Sequence, residues 1–138
     1  MATYNKFQDF VEQLWRGNHD FANDVTKVYL SNTAANNTMV SKENLAEISA
    51  ANGYNTANVS QNIAEAAGVV SIKGVSVVWT ANGGNFGPFD KVIWFNANTA
   101  TPANGLISWW EYGSSISCNN GESFTWATPA NNLLANCT

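Results

Sequence analysis

Leu106-Ile107-Ser108-Trp109-Trp110-Glu111-Tyr112 is the stretch whose reading decides the fold. Successive side chains of a strand point to opposite faces, so Trp109 and Trp110 must look in opposite directions. One indole can enter a core between two layers. The other needs a helix, a loop or another subunit above it. Val92-Ile93-Trp94-Phe95 is likewise apolar on both faces, as is Val77-Val78-Trp79. An ordinary surface sheet alternates apolar and polar residues instead.

Working outward, strands are expected at residues 68–73, 75–81, 91–96, 106–112 and 123–127. The segments between them carry turn chemistry: Asn82-Gly83-Gly84-Asn85, Gly87-Pro88, Pro102-Ala103-Asn104-Gly105 and Asn119-Asn120-Gly121. The last has the Asn-Gly pair that suits positive φ and reads as a hairpin turn. Earlier, Thr26, Val28 and Leu30 share one strand face, while Val25, Lys27 and Tyr29 share the other. Residues 31–38 read as loop. Ser41 either N-caps a short helix carrying Leu45 and Ile48, closed by Gly53, or opens an irregular loop. Residues 55–68 are small and polar, without a firm period, and read mostly as loop.

The N-terminus differs. Phe7, Phe10, Val11 and Leu14 fall at i, i+3, i+4 and i+7, one apolar helical stripe that must pack on something. Gly17 follows as a stop. The fold class expected is therefore mainly β: an antiparallel β-sandwich or partly closed barrel with one N-terminal amphipathic α-helix. A single domain is expected over residues 1–138, with the helix at about 4–16 and the β domain at about 24–138.

Composition bounds the function. Only 12% of the 138 residues are charged, about half the usual 25%, and 21 asparagines supply neutral polarity instead. Six Trp, seven Phe and four Tyr argue against disorder. A net charge of −4 with six basic residues argues against nucleic acid or an anionic membrane as partner. No apolar run reaches a membrane span, and no signal peptide is evident.

The search for chemistry yields little. His19, with Asp20 and Asp24, lacks the ligand set of a metal site or the geometry of a triad. A Cys118–His19 pair has no supporting signature. Glu111 and Glu122 do not form a glycosidase pattern, and residues 83–87 lack the Lys and Ser/Thr of a phosphate loop. The expectation is no enzyme, no metal and no cofactor. Cys118 and Cys137 read by default as free thiols. A bond between them would close a loop of about 20 residues, worth on the order of 3 kcal/mol, and makes sense only outside a cell. Candidate partner-contact residues are Phe7, Phe10 and Leu14 on the helix with Trp94, Trp109 and Trp110 on the strands. The alternative is that loops and helix cover them within one chain.

In its blocks the sequence resembles small virion structural proteins of tailed bacteriophages. The blocks are Tyr4-Asn5-Lys6-Phe7-Gln8-Asp9-Phe10-Val11-Glu12-Gln13-Leu14, then Asp24-Val25-Thr26-Lys27-Val28-Tyr29-Leu30-Ser31-Asn32-Thr33-Ala34. Leu45-Ala46-Glu47-Ile48, Asn52-Gly53-Tyr54 and Val78-Trp79-Thr80-Ala81 follow. Phe86-Gly87-Pro88-Phe89, Trp109-Trp110-Glu111-Tyr112-Gly113 and Asn120-Gly121-Glu122-Ser123-Phe124 complete the order. The chain departs from the group's pattern at Ala35, where Pro is common, and over residues 58–68. The resemblance implies a non-enzymatic particle component, foremost a capsid cement or decoration protein that binds the outer shell and bridges capsomers. Its implied partners are the major capsid protein and copies of itself, with a trimer as the expected form. Its implied location is the virion, assembled in the host cytoplasm. A tail- or fibre-associated component and a carbohydrate-binding β-sandwich module are the alternatives.

Overall fold

The computed structural model describes residues 3–126 and the backbone of residues 133–137. In chain order the elements are β1 (Thr3–Lys6), α1 (Gln8–Trp15), β2 (Thr26–Ser31), a 3-10 turn (Lys42–Asn44), β3 (Ala57–Val59), β4 (Gln61–Ala66) and β5 (Val69–Gly74). Then come β6 (Val77–Thr80), β7 (Phe86–Asn96), β8 (Leu106–Cys118), β9 (Ser123–Trp126) and β10 (Leu133–Cys137). They form three antiparallel sheets: β1-β8-β7-β2-β3, β10-β5-β4 and the ribbon β6-β9. The result is a mainly β, sandwich-like fold with one short N-terminal helix and no closed barrel.

The five-stranded sheet is apolar on both faces because both are covered within the chain. Leu30, Val92 and Trp110 are aligned across β2, β7 and β8, and so share a face. The β6-β9 ribbon lies over it: Trp126 meets Trp110 edge-on at 4.8 Å, and Phe124 meets Phe89 at 4.8 Å. Tyr29, Ile93 and Trp109 align on the opposite face. There Phe7 packs on Trp109 at 4.5 Å. The 3-10 turn adds cover, with the Tyr29 hydroxyl donating to the Leu45 carbonyl at 2.9 Å and the Lys42 ammonium 4.9 Å from the Tyr29 ring centre. Both adjacent tryptophans are thus interior, one served by β9 and the other by the residue that opens α1.

Several boundaries differ from expectation for identifiable reasons. The helix expected at about 4–16 is confined to Gln8–Trp15. Residues 3–6 instead extend the sheet, pairing with β8 from Thr3↔Glu111 to Lys6↔Ser108, and Tyr4 rests on Trp110. Gly87-Pro88 is no turn. It lies inside β7 where the register with β8 shifts between Phe86 and Phe89. A Cβ on Gly87 would stand 2.9 Å from the Ile116 carbonyl oxygen, and its φ of +118° favours glycine. Asn119-Asn120-Gly121 turns the chain, but not into a hairpin: β8 pairs with β1 and β7, whereas β9 pairs with β6. This turn carries the chain from one layer to the other. Most of residues 55–68 is strand, in β3 and β4, and β10 adds a strand that the sequence did not reveal. The segment after Ser41 resolves into a single 3-10 turn. Ser41 and Asn44 form a capping box there.

Candidate interaction surface

The aromatic residues singled out in the sequence as partner contacts are core residues. Phe7, Phe10 and Trp94 are fully buried, and Trp109 and Trp110 are 5% and 3% exposed. Leu14 is half-buried against the same core. These side chains do not form a surface a partner could touch. The physical reason is the two-sided cover just described. Periodicity shows that both strand faces are apolar, but not that β9, Phe7 and the 3-10 turn supply the cover.

The apolar groups that face solvent are others: Trp15 at 86%, Val75 at 61%, Val78 at 57%, Ile63, Val70, Val25 and Tyr4. Ile63 and Val70 belong to the β4-β5 hairpin, in which Ile63 stands opposite Ile72 and Glu65 opposite Val70. This hairpin forms a sheet separate from the five strands. Of its residues with described side chains, only Ile72 and Gly74 are buried. Val75 and Val78 lie where it rejoins the body, on and just before β6. Together these positions make an apolar arm whose only acidic residue is Glu65. Its β5 strand is the one the sequence leads one to expect at residues 68–73, whereas β4 is not legible there because Gln61-Asn62-Ile63-Ala64-Glu65-Ala66 has little β-branched character. Near α1, Gln8, Asp9, Glu12, Thr38 and Val40 line an open groove of about 270 Å³.

The groups that could carry chemistry are tied into the structure. His19 is 7% exposed, stacked on Phe21 at 5.7 Å and edge-on to Phe10 at 5.1 Å. The Asn96 amide places one N–H toward His19 Nδ1 at 3.2 Å and one on Asp24 Oδ2 at 2.6 Å. Nδ1 therefore accepts, which puts the ring proton on Nε2, an atom that is buried with no partner. Burial outweighs the charges of Asp24 and Asp9 and pushes the His19 pKa down to about 4. The imidazole is neutral and inaccessible. It fastens the loop after α1 to the end of β7.

A pH dependence follows. At this site the unfolded chain takes up a proton near pH 6.5 while the folded chain resists until about 4, so the His19 contribution to stability is constant above 6.5 and declines between 6.5 and 4. The expected loss across that window is about 3 kcal/mol. Denaturant titrations at successive pH values check it. His19→Gln, which still offers an acceptor to Asn96, should flatten that window. An unchanged slope in the variant would remove His19 as the cause.

Glu47 is the second hub. Its Oε1 accepts from the Tyr54 hydroxyl at 2.8 Å and the Thr56 hydroxyl at 2.5 Å, and its Oε2 pairs with Lys42 at 2.8 Å. Tyr54 in turn accepts from the Leu30 N–H at 2.9 Å. Burial alone would raise Glu47, but the bonds from Lys42, Thr56 and Tyr54 and the Lys42 charge hold it below the usual value. All four polar groups are spent on one another, so this cluster clasps residues 42–56 to β2.

Cys118 is buried and has no disulfide partner among the described residues; as a thiol it is raised by burial and by the Glu122 charge, which suppresses the thiolate a nucleophile needs. Cys137 belongs to β10 by its backbone, but its side chain lies outside the described residues, and so does the question of a Cys118–Cys137 bond. Glu111 approaches Lys91 at 3.9 Å and Glu122 accepts from the Asn119 N–H. Among the described residues no group of three or more His, Cys, Asp or Glu could hold a metal, and no helix is long and apolar enough to cross a membrane. Compared with protein-family models, curated proteins and solved structures, the chain matches none.

Proposed function

We propose that this chain is a non-enzymatic structural protein of a bacteriophage virion, a capsid cement or decoration protein that binds the outer shell and bridges capsomers. The observation that supports it best is a division of labour. His19, Glu47 and Cys118 are tied into packing and clasping, while among the described residues four of the seven exposed large apolar side chains, Ile63, Val70, Val75 and Val78, lie on the β4-β5 arm and where it rejoins the body. A cement protein works by modest apolar contacts repeated over many identical sites, where avidity supplies the strength. The low charge, 12% of residues, lets identical faces lie side by side with little repulsion and little salt dependence. The resemblance of its sequence blocks to those of small virion proteins is the other support for this reading.

The test is binding of the purified chain to undecorated capsids of the phage that encodes it. Saturable binding is expected. A Val75→Asp/Val78→Asp double variant, altered only at exposed positions, should keep its melting temperature and bind at least about tenfold more weakly. Absence of binding by the native chain would overturn the proposal. One observation favours a competing reading. Five of the six tryptophans, Trp79, Trp94, Trp109, Trp110 and Trp126, are buried, leaving the exposed indole of Trp15 as a platform on which a sugar ring could stack. Glycan binding abolished by Trp15→Ala would favour a carbohydrate-binding module.

A further inference from the structure

We infer that two copies of this chain associate edge to edge through β4, in antiparallel register about Ile63, to give one continuous six-stranded sheet β10-β5-β4-β4-β5-β10.

The inference rests on the hydrogen-bonding parity of the hairpin. The Val75 N–H donates to the Ser60 carbonyl at 3.1 Å, and the register continues without a shift from Gln61↔Gly74 to Ala66↔Val69. Hydrogen-bonded and non-hydrogen-bonded pairs alternate along an antiparallel ladder. Ser60, Asn62, Ala64 and Ala66 therefore turn their backbone groups toward β5. Gln61, Ile63 and Glu65 turn theirs outward, to an edge on which no strand sits among the described residues. Natural sheets blunt such edges with lysine, proline or a bulge. Residues 61–66 carry a single charge, Glu65, contain no lysine or proline, and the β4 register has no bulge.

The same parity selects a second copy as the occupant. Two identical edges can pair antiparallel only about a twofold axis, and full overlap of the three outward residues occurs only with the axis at Ile63. That register sets Ile63 against Ile63 of the other copy and Gln61 against Glu65. It extends the Ile72–Ile63 row across the junction and keeps the two Glu65 carboxylates apart, whereas like charges directly opposite would destabilise. The edge is also held in place. The Gln61 amide donates to the Phe21 and Asp24 carbonyls at 3.1 and 3.0 Å and accepts from the Thr26 hydroxyl, anchoring the base of the arm and lowering the ordering cost of pairing. Twofold closure replaces the trimer with a dimer.

Sedimentation equilibrium of the full chain tests this, with a dimer expected at concentrations of order 50 μM. Ile63→Lys sets two ammonium groups face to face at the axis. It should raise the dimer dissociation constant about 100-fold or more without lowering the melting temperature of the dilute monomer, since position 63 is exposed. Ile63→Cys should give a covalent dimer under mild oxidation, because facing Cα atoms of a hydrogen-bonded pair lie about 5.5 Å apart, within disulfide reach. Peptide mass spectrometry should locate the bond at 63–63, and Trp15→Cys should give none. A monomeric native chain, a trimer, or a dimer indifferent to Ile63→Lys would overturn the pairing. The pairing does not depend on the virion reading: a dimer that ignores capsids defeats only that reading, and a monomer that binds capsids defeats only the pairing.

Discussion

Trp110→Ala should lower the stability of the isolated chain by about 3–5 kcal/mol, the usual cost of emptying a buried tryptophan site, with a fall in melting temperature on the order of 15 °C. Trp110 is the junction of three elements. It stands on the inner strand β8, receives Tyr4 of β1 at 5.4 Å, and meets Trp126 of β9 at 4.8 Å. Removing it takes a ring contact from both Tyr4 and Trp126 and leaves the β6-β9 ribbon held to the sheet it covers mainly through Phe124. Surrounding side chains can collapse only partly into the space, because Val92 and Leu30 beside it are already fully buried. Thermal or urea denaturation of the monomer checks this. A Trp110→Ala chain of native stability that had lost only its self-association would show that Trp110 serves a partner, contrary to its place in the core.

Glu47→Ala should cost about 3 kcal/mol, because it leaves a half-buried ammonium and two hydroxyls without their acceptor. Lys42, Tyr54 and Thr56 all converge on that one carboxylate. The damage should spread to β2, since the Tyr54 hydroxyl that Glu47 orients also satisfies the Leu30 N–H. Glu47→Gln keeps an acceptor for Tyr54 and Thr56 but loses the charge opposite Lys42, and should cost about 1–2 kcal/mol. The contribution of Glu47 has its own pH signature. Its carboxyl is held below the ordinary value, so the stabilisation is complete above the unfolded carboxyl range and is lost as pH falls beneath it. That window lies below the one set by His19, and the two variants separate them. Equal stability of Glu47→Ala and the native chain would show the clasp to be dispensable.

The fold class was readable from strands such as Val92-Ile93-Trp94-Phe95 because two-sided apolar character is itself a statement about layers. The helix was readable at Phe7, Phe10 and Leu14, but its start was not. Tyr4-Asn5-Lys6 fits either helix or strand locally, and pairing with β8 decides it. Neither β4 nor the role of Asn119-Asn120-Gly121 could be read locally. Turn chemistry fixes that the chain turns, whereas the partner of the next strand is set by long-range pairing of β9 with β6. That the candidate contact aromatics are buried was illegible for the same reason. A list of large apolar residues cannot distinguish those covered by their own chain from those left open, and here the open ones are small or isolated: Ile63, Val70, Val75, Val78 and Trp15. His19 and Glu47 became interpretable only when Asn96, Tyr54 and Thr56 were brought to them from distant positions.

The most direct measurement of the proposed role is the copy number of this chain in purified particles of the phage proposed to encode it, by quantitative mass spectrometry against the major capsid protein. A cement protein acting through many repeated contacts should be present in copies on the order of hundreds per particle. A copy number below about twenty, the range of a tail or fibre component with its low-order symmetry, would contradict it.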